Sequence, residues 1–364
     1  MKHLVFTVTN ELNYDQRMIR ICDTLCNEGY KVNLIGVQFS NSPKLIDKKF
    51  NQQRINCFFK KGFGFYAEYN VKLFFTLLFK KADLFCAIDL DTIMPAFFAG
   101  KLKNKALVYD AHEYFSQQKE IITRPNIYKI WRFIENTFVP KFKNGYTVCF
   151  NISNTFEKLY KIKYEVIMNA TSIKTSSNKS PKKEKLILYQ GAVNEARGLE
   201  YLIPAMKNID AILHIYGDGN FMEQLKTIIQ NHCLEEKVII KGKVSPEELH
   251  EITSKYYIGL NLVENTGLNQ YYSLANKFFD YVHAGIPQVS MNFPEYKRIN
   301  DQFEIAVLID NLEQNEISNA INALLTNDEK YAKLVQHCYE AKLVYNWENE
   351  SKKLIQFYKN IFEQ

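Results

Sequence analysis

The sequence predicts an α/β protein built from two parallel-sheet domains. Three observations predict it. The chain has 364 residues, more than one ordinary core accommodates. Short apolar strand runs alternate with amphipathic helical patterns in both halves, the signature of parallel sheets covered on both faces. A polar, Ser/Lys-rich stretch, residues 169–185, separates the halves and reads as a linker. With 46% hydrophobic and 24% charged residues, the composition is that of a globular protein.

In the first half, residues 3–8 read as a strand, 9–14 as a polar loop and 15–28 as a helix that Gly29 ends. Further strands are expected at 31–37, 83–88, 106–109 and 146–150. Residues 71–81 combine apolar side chains with flanking lysines. Together with Lys60 and Lys61 they read either as a helix packed on the sheet or as a segment touching an anionic bilayer surface. In the second half, strands are expected at 186–189, 212–216, 238–241, 258–263, 288–291 and 305–309. Ser245-Pro246-Glu247-Glu248 is a helix start with Ser as N-cap and Pro at the first position. Residues 329–362 have helical spacing, broken near Trp347. The domains are therefore expected at 1–168 and 186–345, with 346–364 a terminal helix able to cross back to the first.

Bulk properties narrow the function. The net charge of +6 permits attraction to anionic lipid or phosphorylated substrates but does not argue for nucleic acid. The seven cysteines are scattered, form no CxxC pair and lie mostly in apolar runs, as buried reduced thiols do. That favours a cytoplasmic location, with peripheral attachment to the inner face of the membrane as the alternative. The first residues enter a strand directly, without a cleavable apolar leader. No apolar run approaches the ~18–20 residues needed to span a bilayer.

The most informative segment is residues 273–287, Ser-Leu-Ala-Asn-Lys-Phe-Phe-Asp-Tyr-Val-His-Ala-Gly-Ile-Pro. It reads as a short helix closed by Gly285 and followed by a strand. Phe278, Tyr281 and Val282 share one face, while Lys277 and Asp280 sit together on the other side. A cation and a carboxylate at a helix start, behind the polar loop 264–272, suit a phosphorylated, hydroxyl-rich ligand. The pattern resembles the "PNKLFEY…AGxP" segment of retaining glycosyltransferases of family 4.

Other segments resemble the same family in the same order. Gln190-Gly191-Ala192-Val193-Asn194-Glu195-Ala196-Arg197-Gly198 is similar to its "G…RG" phosphate loop. Read from the residues alone, Arg197 is as well a surface arginine on a strand–helix loop as an anion ligand at a helix start. Gly217-Asp218-Gly219 is similar to the "GdGp" turn, and Gly242 falls at a glycine near the nucleotide base. Asn10 to Arg17 resembles an "ND…DqRv" opening. Asp89-Leu90-Asp91-Thr92 resembles "aDLdtl", and Tyr109-Asp110-Ala111-His112-Glu113-Tyr114 resembles "yDsHEyf". The family's usual pair of glutamates, eight residues apart, would fall on Tyr272 and Asp280, so the first carboxylate is missing here.

The resemblance implies a GT-B fold, two Rossmann-like domains facing across a cleft, with the acceptor side first and the nucleotide-sugar side second. It implies transfer, with retention, of a sugar from a nucleotide diphosphate sugar to a hydroxyl of a glycan or lipid-linked acceptor, in cell-surface polysaccharide or glycolipid assembly. Arg197 and Lys277 would stabilise the leaving diphosphate and His112 would position the sugar. Gly191, Gly217, Asp218, Gly242, Gly267, Leu268, Asn269, Asn276 and Asp280 would bind the sugar donor. Asn10, Asp15, Arg17, Asp89 and Glu113 would bind the acceptor, although Asp15 and Arg17 equally suit a helix cap and its pairing. No cofactor and no metal is expected: no HExxH or CxxC occurs, and the D-x-D letters at Asp89 and Asp91 lie in the acceptor half. The rival readings are a sugar-nucleotide epimerase or phosphorylase on the same scaffold, or a non-catalytic sugar-nucleotide-binding protein. A dinucleotide dehydrogenase is disfavoured because no GxGxxG follows the first strand.

Overall fold

The structure is a computed structural model that describes residues 1–173 and 184–363. Most of the predicted linker, residues 174–183, lies outside the described residues. The chain forms two compact units, residues 1–169 with 350–364, and residues 170–349.

The first unit contains β1 (His3–Thr7), α1 (Gln16–Asn27), β2 (Lys31–Gln38), β3 (Asn51–Asn56), α2 (Gly62–Phe79), β4 (Leu84–Ile88) and α3 (Ile93–Leu102). It continues with β5 (Ala106–Ala111), α4 (Lys119–Ile122), α5 (Pro125–Phe138), β6 (Asn144–Thr147), α6 (Phe150–Tyr160) and β7 (Glu165–Val166). The seven strands are parallel in the order β3-β2-β1-β4-β5-β6-β7. The inner strands are apolar on both faces because helices cover both: Leu4, Val5, Phe6, Leu84, Phe85 and Cys86 are all fully buried.

The second unit contains β8 (Leu186–Gln190), α7 (Leu199–Ala205), β9 (Ile212–Tyr216), α8 (Met222–Asn231), β10 (Val238–Gly242), α9 (Pro246–Thr253), β11 (Ile258–Asn261) and α10 (Leu268–Tyr271). Then come α11 (Asn276–Ala284), β12 (Gln288–Met291), α12 (Pro294–Phe303), β13 (Ala306–Ile309), α13 (Gln314–Thr326), α14 (Asp328–Val344) and α15 (Trp347–Glu363). Its six parallel strands run β10-β9-β8-β11-β12-β13. Ser245 caps α9 as expected, accepting from the Glu248 N–H at 3.1 Å.

Most of α15 belongs to the first unit. Its Tyr358 is fully buried, 6.1 Å from the Phe6 ring and with its hydroxyl 3.3 Å from that of Tyr146. At its start, the Glu350 carboxylate accepts the Met168 N–H at 2.8 Å.

Three expectations are corrected. The strand expected at 146–150 stops at Thr147, and Phe150 opens α6. The Thr147 hydroxyl donates to the Cys149 carbonyl at 2.8 Å, turning the chain out of the sheet. The strand expected at 258–263 stops at Asn261, whose amide donates to Ser290 Oγ at 2.9 Å. Residues 268–271 of the expected loop wind into the single turn of α10. All seven cysteines are free, five of them buried. Among the described residues no helix is long and apolar enough to cross a membrane.

Candidate functional site

In both units the sequence-predicted residues lie in the loops that follow strands and on the helices those loops open, the side on which open α/β sheets bind ligands. The second unit is the more constrained. The loops after β8, β9 and β10 are laced together by backbone bonds: Gly191 N–H to Tyr216 O at 2.9 Å, Val193 N–H to Asp218 O at 3.0 Å and Gly217 N–H to Gly242 O at 2.9 Å. Asp218 also accepts its neighbour's N–H, from Gly219, at 2.8 Å.

This lacing requires glycine at 217. Its φ is +154°, and a Cβ there would stand 1.8 Å from the Gly191 carbonyl oxygen. Gly217→Ala is therefore expected to force the two loops apart. It should lower the melting temperature of the protein. Thermal melts check this; a wild-type melting temperature would contradict it.

Lys277 reaches these loops because α11 is seated firmly. Tyr281 lies across Gly259, where a Cβ would meet the ring at 2.5 Å, and its hydroxyl donates to the Leu188 and Leu260 carbonyls at 3.3 and 3.2 Å. Gly285, at φ +65°, closes the helix. Lys277, at the opposite end, extends over Gly191: a Cβ there would be 3.6 and 3.8 Å from its Cε and Nζ. The Lys277 ammonium stands 4.0 Å from the centre of the Tyr189 ring. Its pKa is pulled down to about 7, first by desolvation and then by the positive charge of Arg197, against a smaller opposing pull from Asp280. Two cations from separate segments of the unit, one before α7 and one on α11, thus share one electrostatic environment that an anion would relieve.

Arg197 is half-buried and follows Ala196, which takes a left-handed φ of +62°; Gly198, at +75°, then opens α7. The Ala196 carbonyl accepts the Glu264 N–H at 3.0 Å, so the loops bearing Arg197 and residues 264–267 are joined. Asp280 is already engaged: it accepts the Thr171 hydroxyl at 2.7 Å and the Gln190 amide at 3.1 Å. Gln190 in turn accepts the Thr253 hydroxyl at 2.8 Å. Thr171, Gln190 and Tyr189 were not singled out from sequence. Adjacency to Gly191 was the available signal for Tyr189 and Gln190; Thr171 had none. Asn276 is exposed at the α11 start and Gly267, Leu268 and Asn269 lead into α10. A groove of about 930 Å³ at the carboxyl ends of β11, β12 and β13 shares Glu264, Asn265 and Thr266 with this region and is further lined by Asn292 and Asp310.

In the first unit, β1, β4 and β5 are sheet neighbours, so the loops carrying Asn10, Asp89 and His112 are adjacent. The His112 Nε2 stands 2.9 Å from Asp110 Oδ2, and the His112 backbone N–H donates to Asp89 Oδ1 at 2.9 Å. Asp110 is fully buried and paired on its other oxygen with Arg17 at 3.1 Å. Burial alone would raise the Asp110 pKa, but Arg17 and His112 outweigh it and hold the carboxyl below its ordinary value. With Asp110 ionised, Nε2 carries the proton and Nδ1 is left facing Asp89 Oδ2 at 4.0 Å.

Two further aspartates near this histidine behave in the opposite way. Burial, then Glu113 and the neighbouring aspartates, push Asp89 well up. Asp91 rises to about 7, mainly through burial, although it accepts the Thr9 hydroxyl at 2.5 Å. Glu113 accepts the Gln118 amide.

Two residues expected to bind acceptor have structural tasks. Arg17 is buried, with its guanidinium on Asp110 and, at 3.0 Å, on the Ile167 carbonyl. Asp15 is the N-cap of α1, accepting from the Met18 N–H at 3.0 Å and from the exposed Asn10 amide at 2.8 Å. Among the described residues no three His, Cys, Asp or Glu side chains are grouped to hold a metal ion.

Comparison with known proteins places this geometry. Residues 171–341 match the family model for glycosyl transferases group 1. The match spans nearly all of the second unit and none of the first. A search of curated protein sequences found no match. Solved structures similar over the whole chain include sucrose-phosphate synthase from Thermosynechococcus elongatus, with a TM-score of 0.82 at 14% identity and 100% of both chains covered. Anabaena HepE in complex with UDP and glucose has a TM-score of 0.78 at 14% identity, covering 99% of this chain and 100% of that one. An S. aureus TarM mutant in complex with fondaparinux, α-GlcNAc-glycerol and UDP has 0.77 at 11% identity, with both chains fully covered. The fold is GT-B, two Rossmann-like α/β units.

Proposed function

We propose that this protein is a retaining glycosyltransferase of family 4, moving a sugar from a nucleotide diphosphate sugar to a hydroxyl of a glycan or lipid-linked acceptor in cell-surface polysaccharide or glycolipid assembly. One observation carries the reading. At the carboxyl end of β8, Arg197 and Lys277 are placed so that the positive charge of one depresses the pKa of the other. That arrangement is unfavourable alone and favourable around a diphosphate. The group 1 match over residues 171–341 and the UDP held by two similar structures support it.

The chemistry follows from charge. As the bond from the anomeric carbon to the diphosphate lengthens, negative charge grows on the leaving oxygens. Arg197 and Lys277 act only to the extent that they hold that charge better than they hold intact substrate. They take the part that a divalent cation plays elsewhere, so no metal is invoked. A leaving phosphate oxygen accepts the acceptor's proton on the face it departs from, which delivers the new bond to the same face. Asp280, which holds Thr171 and Gln190, takes the place of the carboxylate that binds the ribose hydroxyls in the family this segment resembles. In the first unit, His112 offers Nδ1 to a sugar hydroxyl, with Asp110 fixing the ring, while Asn10, Asp89 and Glu113 border the acceptor.

The test is incubation with a panel of nucleotide sugars, with and without polysaccharide-repeat or lipid-linked acceptors, followed by NMR of the product. Transfer that needs acceptor and keeps the donor's anomeric configuration is expected. Epimerised or hydrolysed sugar nucleotide from donor alone, or an inverted product, would overturn the reading.

A further inference from the structure

The first unit carries an apolar surface that its own core does not use. Helix α2 buries one ridge at four-residue spacing, Phe65, Tyr69, Leu73 and Leu77. The opposite ridge, two residues out of step, is Phe63, Ala67, Val71, Phe75 and Phe79, and every member is exposed. Phe63 is 78% and Phe79 88% exposed. A helix with apolar ridges on two opposite sides is ordinarily covered on both, by protein or by lipid. Here the protein encloses one side only.

The surface extends beyond α2. The steps from β3 to β4, β4 to β5 and β5 to β6 cross the sheet in one direction, so right-handed connections put α2, α3 and α5 on one face. Their packing agrees: α2 touches α3, and α3 touches α5. Phe98 and Leu102 on α3 and Phe133 on α5 are exposed as well. Ahead of α2, Phe58 and Phe59 project as an edge-to-face pair, and Phe58 is 84% exposed. They are held in place: Glu68 accepts both of their backbone N–H groups at 2.9 Å while pairing with Lys72 at 2.6 Å. The far end of α2 is also fixed, where the Lys103 ammonium donates to the carbonyls of Leu77, Leu78 and Lys80.

Charge identifies the occupant. Lys60 and Lys61 precede the ridge, Lys80 and Lys81 follow it, and Lys72 lies along it. Between residues 57 and 82 the one acidic side chain is Glu68, which Lys72 and the two Phe N–H groups already satisfy. Exposed aromatic side chains between cations at both ends match a helix lying in the plane of an anionic membrane surface, its apolar face among the acyl chains and its ammonium groups at the phosphates.

We infer that α2 and the 58–59 turn dock the first unit on an anionic phospholipid bilayer. This does not depend on the reaction proposed above, because none of the docking residues belongs to the candidate sites.

Co-sedimentation of the full chain with phosphatidylcholine vesicles, with and without phosphatidylglycerol, tests it. The protein should bind the anionic vesicles about tenfold or more tightly than the neutral ones. Phe75→Ser with Phe79→Ser, and separately Lys60→Glu with Lys61→Glu, should each weaken that binding about tenfold. The melting temperature should hold, because these side chains face solvent. Equal partition of the wild type to both vesicle types would overturn the inference, as would unchanged binding by both variants. Self-association that disappears in the Phe variant, without vesicle binding, would assign the surface to a second copy and overturn it too.

Discussion

Lys277→Ala is expected to lower kcat/KM for sugar transfer by about 10²–10³, the loss typical when one charge-stabilising group is removed from a leaving oxyanion. The free variant should melt no lower than wild type. The side chain lost is a desolvated ammonium repelled by Arg197, whose pKa of about 7 records that its charged form is disfavoured. Its folded pKa lies below the unfolded value of 10.5, so the folded state binds fewer protons. Its destabilising effect is complete below pH 7, fades as pH rises and is gone above the unfolded value. Binding reverses the preference: a diphosphate favours the ammonium, so binding of UDP above pH 7 should bring a proton onto Lys277. UDP affinity of the wild type should therefore fall as pH rises beyond 7, by up to about tenfold per pH unit, until the pKa of the complex is passed. Lys277→Ala should show a flat profile. Titration calorimetry in buffers of different ionisation enthalpy reads the proton directly. Full turnover by the variant, or a flat profile in the wild type, would remove the diphosphate role.

The largest effect on stability is expected from Arg17→Met. It strands the buried Asp110 carboxylate, and breaking a buried pair from one side costs about 3–5 kcal/mol. Denaturant midpoints at pH 7 measure it. Asp110→Asn in the same background should recover much of the loss, because the stranded charge disappears with its partner. The pH dependence has a defined sign. The folded Asp110 pKa is held below its ordinary 3.8 by Arg17 and His112 despite burial. The stabilisation is complete above that ordinary value and is lost as pH falls through the folded pKa. Asp110→Asn should lack that acid limb. An Arg17→Met protein with a wild-type midpoint would refute the pair's structural role.

Much of the fold was legible because central strands of parallel sheets are written as apolar runs. All the strands expected from such runs are present, three of them ending earlier than expected at their carboxyl ends. β3, Asn-Gln-Gln-Arg-Ile-Asn, had no such signal: an edge strand pairs on one side through β2 alone and tolerates polar residues. β7, two residues long, was equally silent. The chain-reversing Thr147 hydroxyl bond that ends β6 depends on backbone geometry that residue type alone does not fix. Within the candidate site, the helix of residues 276–284 and the positions of Lys277 and Gly191 followed from local spacing. The network joining Thr171, Asp280, Gln190 and Thr253 did not, because it links segments from four separate parts of the second unit. Arg17 illustrates the opposite failure: an arginine beside a helix cap looks solvent-facing until the sheet places Asp110 beneath it.

The first unit is discontinuous in sequence, completed by Leu354, Phe357 and Tyr358 of α15 against Phe6, Tyr30 and Tyr146. During translation those side chains emerge only after residues 170–349 have been made. Nascent residues 1–169 therefore leave the ribosome with the seat for Tyr358 empty, and their final consolidation waits on the ribosome's progress through the other half.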